Sequence, residues 1–239
     1  MSTRSRLAVF DVDGTLVRGD AYLHYLVYVW LRRPSRWPRG PALGWGVLLF
    51  ATGIRGNTWL KEWFLRHVLS GLESAREARL TQAFLHDVVQ CRLKGKGLAT
   101  LRHHLAHGNR VVLLSAGMDI YLRSWGDALG VDDILCSVAE RGVNGRITGR
   151  LVGANCRGAE KVRRLDEYLA DFGDRGESPH ITVYSDHHSD LPLLQRADVA
   201  VAVDPTPRLR ALCRLHGFGI ERWLDNDGGS SAESQSGRR

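Results

Sequence analysis

The sequence predicts an α/β protein in which a doubly wound parallel sheet carries an inserted α-helical cap, and three observations support this prediction. Short apolar runs recur without alternating polar residues, which is typical of strands that helices cover on both faces. Helical patterns separate these runs along the chain. The stretch between the first two runs, residues 18–97, is too long for one crossover helix and therefore indicates an insertion.

The predicted elements follow in chain order. Strands are expected at LAVFD (7–11), RVVLLS (110–115), HITVYSD (180–186) and ADVAVAVD (197–204). Helices are expected at about 95–107, 118–129, 157–172 and 207–215. Residues 132–153 differ, because Asn144-Gly145 stands between two extended runs and is typical of a β-hairpin.

These elements predict how the chain divides into domains. Residues 1–17 and 98–224 are assigned to the α/β core, and residues 18–97 to the cap, which contains the helical stretches DAYLHYLVYVWLRR and SAREARLTQAFLHDVVQCRL. The last residues, 225–239, are polar and rich in Gly and Ser, so we expect a disordered tail there.

Composition limits the class of protein. Apolar residues make up 44% of the chain and charged residues 25%, as in ordinary globular proteins. The net charge of +7 is compatible with nucleic acid, a membrane surface or small anionic substrates. The four cysteines are far apart and form no C-x-x-C pair, and the N-terminus lacks a secretory signal pattern. A cytoplasmic location is therefore expected.

One apolar segment raises the question of membrane insertion. PALGWGVLLFATGI (41–54) spans only 14 residues and Arg55 follows it directly. A bilayer core needs about 20 helical residues, so this segment is interpreted as a buried or interfacial element.

Two acidic residues follow the first predicted strand, in DVDGT (11–15). Asp11 and Asp13 would repel each other unless a divalent cation or a shared proton offsets their charge. Gly14 permits a sharp exit of the chain from the strand. A solvated turn is the alternative. A calcium loop fits poorly, because Thr15 stands at the third acidic position and no glutamate closes a twelve-residue loop.

A second acidic pair lies in SDHHSDLPLL (185–194). Asp186 ends a predicted strand, and Mg²⁺ binds through one or two carboxylates, so Asp186 and Asp11 on neighbouring strand ends could hold it. Asp190 could join this site, or merely cap the helix that begins near Leu191, and both roles can hold at once. His187 and His188 either touch the site or face solvent.

A hydroxyl and a lysine complete the candidate set. Ser115 ends the strand in LLSAGM and, with the N–H groups of Ala116 and Gly117, could bind an anion, although a serine that only caps a helix is the alternative. Lys161 lies in the first turn of a helix in RGAEKVRRL, where a solvated lysine is the alternative. The carboxyl ends of parallel strands share one edge, which predicts that Asp11, Ser115 and Asp186 meet there.

Taken in order, these motifs resemble the haloacid dehalogenase (HAD) superfamily of phosphohydrolases, and the cap position resembles subfamily IB, the phosphoserine-phosphatase-like proteins with a C1 cap. The resemblance implies that Asp11 is the nucleophile, which forms an aspartyl-phosphate, and that Asp13 is the general acid and base. It implies phosphate contacts from Thr15, Ser115, Ala116, Gly117 and Lys161. It implies Mg²⁺ held by Asp11, Asp13, Asp186 and Asp190.

The expected function is a Mg²⁺-dependent phosphomonoesterase that acts on a small or amphiphilic phosphate ester. A phosphotransferase with the same intermediate and a non-catalytic phosphoester- or membrane-binding module are the alternatives. A nucleic-acid partner is not expected, because no aromatic–basic RNA motif or zinc knuckle is present. Phosphoserine phosphatases usually carry a glutamate shortly after the first motif, where this chain has Asp20.

The composition of the cap suggests a partner. Between Arg18 and Arg66 it holds eight Lys or Arg residues and five tryptophans. Such a lid could admit a lipid-like phosphate ester and touch an anionic membrane surface. A small helical core with solvated arginines is the alternative. The oligomeric state is left open.

Overall fold

The computed structural model describes residues 5–170 and 178–224. Within them the chain forms a seven-stranded sheet of order β4-β3-β2-β1-β5-β6-β7. The strands are β1 Arg6–Phe10, β2 Arg110–Met118, β3 Asp133–Arg141, β4 Ile147–Val152, β5 His180–Ser185, β6 Val199–Val203 and β7 Gly219–Glu221. Neighbouring strands are parallel except β3 and β4, which are antiparallel. The predicted α/β fold class is confirmed.

Strand β1 shows why the apolar runs indicate burial on both faces. Leu7 and Val9 pack into one hydrophobic cluster, while Ala8 and Phe10 pack into the cluster on the other face. All of them are almost completely buried. Because successive side chains of a strand alternate between faces, a run without polar residues requires a cover on each side.

Helices provide this cover. Helix α5, Gly95–Ala106, directly precedes β2. The helices after β2 are α6 Asp119–Leu129, α7 Ala159–Ala170, α8 Leu191–Gln195 and α9 Pro207–His216. Between β1 and β2 lie α1 Ala21–Leu31, α2 Gly40–Ala51, α3 Asn57–Phe64 and α4 Ser74–Phe84. Single π-helical turns, Leu65–Leu69 and Leu85–Val89, continue α3 and α4. The helical insertion is where the sequence predicts it.

The hairpin also forms as predicted, around Asn144 and Gly145, whose φ is +73°. Its first strand, β3, pairs in parallel with β2 on its other edge, so the hairpin extends the main sheet. Strand β2 runs three residues further than predicted, to Met118, with an irregular register between Ser115 and Met118. The predicted tail, 225–239, and the end of the predicted helix 157–172 lie outside the described residues.

The apolar segment 41–54 is helical but not buried. Helix α2 occupies most of it, and only Gly46 is buried there, against Trp63 of α3. Trp45 and Leu48 are 56% and 51% exposed. The buried interpretation is therefore wrong, and the interfacial one stays a prediction. In residues 5–170 and 178–224 no helix combines the length and apolar character that a membrane span needs.

The sheet order places the functional edge of the molecule. The chain passes from β1 to β2 on one side and later returns to β5 on the other side of β1. In open α/β sheets such a reversal creates a crevice outside the carboxyl ends of the strands. Asp11 follows β1 and Asp186 follows β5 directly, so both lie at this crevice.

Candidate active site

A cavity of about 300 Å³ opens at the carboxyl edge of β1 and β5. We call it the acidic cavity, and it is lined by Asp11, Asp13, Gly14, Gly19, Asp20, Ala116, Arg157, Lys161, Asp186, His187, Ser189 and Asp190. Most of the residues singled out in the sequence thus meet at one place. Thr15, Ser115 and Gly117 are buried and do not line this cavity.

Lys161 connects two carboxylates in this cavity. Its Nζ donates to Asp11 Oδ1 at 2.7 Å and to Asp190 Oδ2 at 2.6 Å, and all three side chains are buried. Burial disfavours the charged form of Lys161, but the two carboxylates raise its pKa above the usual lysine value. Burial raises the pKa of Asp11 to about 6, although Lys161 opposes this rise. Lys161 is therefore not a solvated lysine.

The side chain of Asp190 does not cap helix α8. Its Oδ2 accepts hydrogen bonds from Lys161 and from Ser185 Oγ, the latter at 2.8 Å. Helix α8 begins directly after Asp190, but the side chain makes no capping hydrogen bond. The capping alternative is wrong, and the carboxylate of Asp190 instead fixes the ammonium group of Lys161.

Asp13 is fixed by the start of the cap. Its Oδ1 accepts a hydrogen bond of 2.7 Å from the Ala21 N–H, at the first residue of α1. Burial, followed by the negative charges of Asp20 and Asp11, raises the pKa of Asp13 to about 8. The Asp20 carboxylate in turn caps α1 by accepting from the Leu23 N–H at 2.8 Å.

The turn that leads from the Asp11–Asp13 segment into the cap depends on Gly14. Gly14 has a φ of +77°, and a Cβ placed on it would lie 2.2 Å from Asp186 Oδ2. The Asp186 carboxylate therefore rests directly on the Gly14 backbone. Burial, with the charges of Asp11 and Asp190, raises the pKa of Asp186 to about 7. Thr15 Oγ1 donates to Asp186 Oδ1 at 3.4 Å.

Ser115 lies inside the irregular part of β2. Its Oγ accepts a hydrogen bond of 2.9 Å from the Gly117 N–H. Helix α6 begins only at Asp119, so the serine is not its N-cap. The Ala116 carbonyl accepts from Lys61 Nζ and from Ser137 Oγ. The backbone of this segment is thus held from both the cap and the core.

Nothing in the sequence marks Lys61 as a site residue. In the structure its side chain is only 7% exposed and forms hydrogen bonds with residues of the core. Its Nζ donates to Asn155 Oδ1 at 2.7 Å as well as to Ala116, and Asn155 Nδ2 donates to Asn57 Oδ1 at 3.0 Å. Burial lowers the pKa of Lys61 to about 8. Its only sequence signal is membership of the basic cap, which does not distinguish it from solvated arginines.

The two histidines have different positions. His187 lines the acidic cavity, where burial, His188 and Arg157 lower its pKa, and its Nδ1 accepts from the Ser189 N–H at 3.1 Å. His188 is not among the lining residues and lies 3.5 Å from an Arg208 guanidinium nitrogen. Arg157 also lines the cavity, with an exposed side chain. Arg157 precedes Lys161 in the same motif, but nothing in that motif marks it as a site residue.

A second cavity of about 270 Å³ lies beside the first, and we call it the cap cavity. Four residues line both cavities, namely Asp13, Asp20, Ala116 and Arg157. The other residues of the cap cavity come from helices α1, α2 and α3 and are mainly apolar, namely Tyr22, Leu23, Leu26, Phe50, Asn57, Leu60, Lys61 and Phe64. Asp13 therefore stands between an acidic compartment and an apolar one.

The donors in the acidic cavity suit a hard divalent cation. Asp11 and Asp186 line it together. Burial and then the negative charge of Asp11 raise the pKa of Asp186, and a bound cation would stabilise both carboxylates in their charged form. Within the described ranges no three His, Cys, Asp or Glu side chains are grouped to hold a metal by themselves. Mg²⁺ needs only one or two carboxylates, because water and other oxygens complete its shell, so the residues fit Mg²⁺.

Comparison with known proteins adds evidence independent of this geometry. Residues 8–195 match the family model of haloacid dehalogenase-like hydrolases. The chain is 29% identical over 199 residues to Protein CicA of Caulobacter vibrioides, which covers 80% of this chain and 83% of the relative. It is 27% identical over 216 residues to phosphoserine phosphatase SerB1 of Mycobacterium tuberculosis, covering 89% and 69% of the two chains.

The solved structures agree. The crystal structure of a protein with unknown function from Bordetella pertussis Tohama I matches with a TM-score of 0.79 at 26% identity, covering 93% of this chain and all of that one. The family model spans most of the sequence, from the first strand to the acidic pair after β5. The resemblance to the haloacid dehalogenase superfamily seen in the sequence is thereby confirmed, and the chain belongs to the haloacid dehalogenase-like hydrolases.

Proposed function

We propose that this phosphatase is a Mg²⁺-dependent phosphomonoesterase that works through an aspartyl-phosphate on Asp11. The position of Asp13 carries the proposal, because Asp13 lines both the acidic cavity, with Asp11, and the apolar cap cavity. A phosphoryl group beside Asp11 and its alcohol in the cap cavity would place the bridging oxygen next to Asp13.

In the first step an Asp11 carboxylate oxygen attacks phosphorus, and the bond from phosphorus to the ester oxygen breaks. Asp13 donates a proton to the departing oxygen, so that a neutral alcohol leaves. In the second step Asp13 takes a proton from water, whose oxygen attacks phosphorus and releases the Asp11 carboxylate and phosphate. The hydrogen bond from the Ala21 N–H keeps Asp13 in place for both steps.

Lys161 and Ser115 would act on the phosphoryl oxygens. Lys161 is fixed between Asp11 and Asp190, so its charge stands beside the attacking oxygen and offsets the charge that develops there. Ser115 Oγ accepts from the Gly117 N–H, and its hydroxyl is proposed to donate to a phosphoryl oxygen. Backbone N–H groups near Thr15 and Ala116 are proposed as further donors.

Mg²⁺ would be held by the carboxylates of Asp11 and Asp186 and by the Asp13 carbonyl. When bound it supplies positive charge against the phosphoryl oxygens and orients the ester. Asp190 is engaged by Lys161 and Ser185, so in this proposal it positions the lysine and contributes to the metal site only indirectly.

The substrate is proposed to be a small or amphiphilic phosphate ester. Leu23, Leu26, Leu60 and Phe64 give the cap cavity an apolar wall. The Asp20 carboxylate, which stands where phosphoserine phosphatases carry a glutamate, is already used to cap α1. The cavity therefore favours an alcohol with an apolar body over one with an ammonium group.

The division into a core (1–17 and 98–224) and a cap (18–97) and the cytoplasmic location remain parts of this proposal.

The test is hydrolysis of p-nitrophenyl phosphate by the full chain, with Mg²⁺ and after chelation. Asp11→Asn removes the attacking charge at nearly constant shape and should abolish turnover. Asp127→Asn, the same change at an exposed position of α6, should leave it unchanged. Acid quenching should trap phosphate on the wild-type chain and not on Asp11→Asn.

Two results would reject this mechanism: turnover by Asp11→Asn at the wild-type rate, or wild-type turnover that is unaffected by chelation. No turnover of any phosphate ester by the wild type would instead favour a non-catalytic binding module. Adding an alcohol and measuring its phosphorylated product distinguishes a phosphotransferase, which passes the phosphoryl group to the alcohol faster than to water.

A further inference from the structure

Two helices of the cap expose apolar side chains, Leu23, Val27 and Leu31 on α1 and Trp45, Leu48 and Phe50 on α2, and the two sets meet at the cap cavity, which Leu23 and Phe50 both line. We call these six side chains together the apolar cap surface. The three leucine and valine side chains recur every four residues and so follow one face of α1. Each of the six is at least 40% exposed. A helix as uniformly apolar as α2 is normally buried, so something is expected to cover it.

The charges in the segment that carries α2 are of one sign, whereas at the ends of α1 Asp20 caps the helix beside Leu23 and Asp87 lies 3.7 Å from Arg32. From residue 21 to residue 61 the sequence holds six Lys or Arg and no Asp or Glu. Arg39 precedes α2 directly and Arg55 follows it closely, and both are exposed. An exposed apolar helix with a cation near each end is the pattern of a segment that lies in the interface of an anionic bilayer.

The cap cavity opens onto this same surface. Leu23 and Phe50 line the cavity and are also half-exposed members of the apolar cap surface. An acyl chain that leaves a bilayer at this point would therefore meet apolar side chains continuously until it reaches the compartment beside Asp13.

A second copy of the chain is the competing occupant. In a two-fold symmetric contact the same patch meets itself, so Arg39 and Arg55 would face like charges with no acidic residue of this segment to offset them. An anionic lipid surface offers the opposite charge. The observations therefore favour the bilayer.

We propose that the apolar cap surface docks on a bilayer containing anionic phospholipid, and that the cap cavity takes a lipid phosphomonoester from it. The second half of this inference rests on the proposed function, whereas the docking itself does not.

The test is flotation of the purified full chain with vesicles of phosphatidylcholine alone and of phosphatidylcholine with phosphatidylglycerol. We expect binding to the anionic vesicles and weaker binding at high salt. Trp45→Glu with Leu48→Glu should weaken it at least about tenfold, because two apolar side chains lose their burial and two charges repel the lipid. Leu215→Glu, at an exposed position of α9, should bind like the wild type.

Equal, weak flotation with both kinds of vesicle, or anionic binding that the double variant retains, would overturn the proposal. Light scattering that shows a dimer broken by the double variant, without vesicle binding, would assign the surface to a second copy. Trp45 and Leu48 do not line either cavity, so the double variant should hydrolyse p-nitrophenyl phosphate normally while turnover of phosphatidic acid in anionic vesicles falls.

Failure of the catalytic proposal would look different. Asp11→Asn should float like the wild type, since Asp11 is buried after β1 and is not part of the apolar cap surface. If that variant kept its turnover while the double variant lost flotation, the mechanism would fail and the docking surface would stand.

Discussion

Replacing Gly14 with alanine tests the geometry of the acidic cavity with a single methyl group. The new Cβ would lie 2.2 Å from Asp186 Oδ2, whereas ordinary contacts of a Cβ begin at 3.4 Å. Asp186 or the loop that carries Asp13 therefore has to move by more than about 1 Å. Either movement displaces a group that the proposed mechanism requires in place.

Two separate effects contribute to the expected result. The φ of +77° costs an alanine about 1–2 kcal/mol of unfolding free energy, whatever surrounds it. The displacement near the reacting atoms should lower kcat/KM by about 100-fold, since errors of about 1 Å in placement have effects of this size. The Mg²⁺ concentration for half-maximal activity should rise, because Asp186 is a proposed ligand.

Gly108→Ala is the matched control. Gly108 has a φ of +68°, and a Cβ there would meet no atom within 4 Å. It should lose the same stability in urea unfolding while keeping wild-type kcat/KM and Mg²⁺ dependence. If the two variants hydrolysed p-nitrophenyl phosphate at rates within a few fold of each other, the Asp186 carboxylate would not be part of the reacting site.

Three further predictions follow from the buried charges. Lys161→Met leaves the buried carboxylates of Asp11 and Asp190 without their cation and should lower the unfolding free energy by about 3–5 kcal/mol in urea titration near pH 7. If the unfolding free energy fell by less than it does for a variant of an exposed lysine, the buried pairing would be contradicted. Ser115→Ala should lower kcat about 100-fold in steady-state assays with the fold retained by circular dichroism. The pKa of Lys61 is about 8 in the folded chain and 10.5 in the unfolded chain. The free-energy cost of burying its positive charge is therefore fully present below pH 8 and disappears above pH 10.5. The stability of the wild type relative to Lys61→Met should therefore rise by about 3 kcal/mol between these pH values, and a flat difference would show that Lys61 is not buried as a cation.

The fold and the central site were largely predictable because both depend on local signals that strand geometry brings together. Continuous apolar runs such as LAVFD require burial on both faces, and this requirement places their carboxyl ends on one edge. Asp11 and Asp186 could therefore be expected to meet although they are 175 residues apart along the chain, whereas Lys161 was expected there only from the family resemblance.

The cap side of the site was not predictable in the same way. Lys61 reaches Ala116 and Asn155 only because α3 packs against β4, and nothing in the helical pattern of the cap specifies that docking. Arg157 precedes a recognisable lysine by four residues, but its place in both cavities depends on the loop between β4 and α7. Contacts between the insertion and the core are set by tertiary packing, which sequence periodicity does not encode.

This difference explains where specificity has to be sought in the molecule. The groups proposed to act on phosphorus come from strand ends and from the first turn of α7, which the sheet holds rigidly. The groups that would meet the alcohol, such as Leu26, Phe50 and Phe64, come from helices of the insertion. Lys61 links the two sets, since it lies on α3 and holds the carbonyl next to Ser115. A change in the packing of α3 would therefore alter the choice of alcohol and the placement of the phosphoryl group together, whereas changes at Trp45 and Leu48 of α2, which line neither cavity, would leave both sets in place.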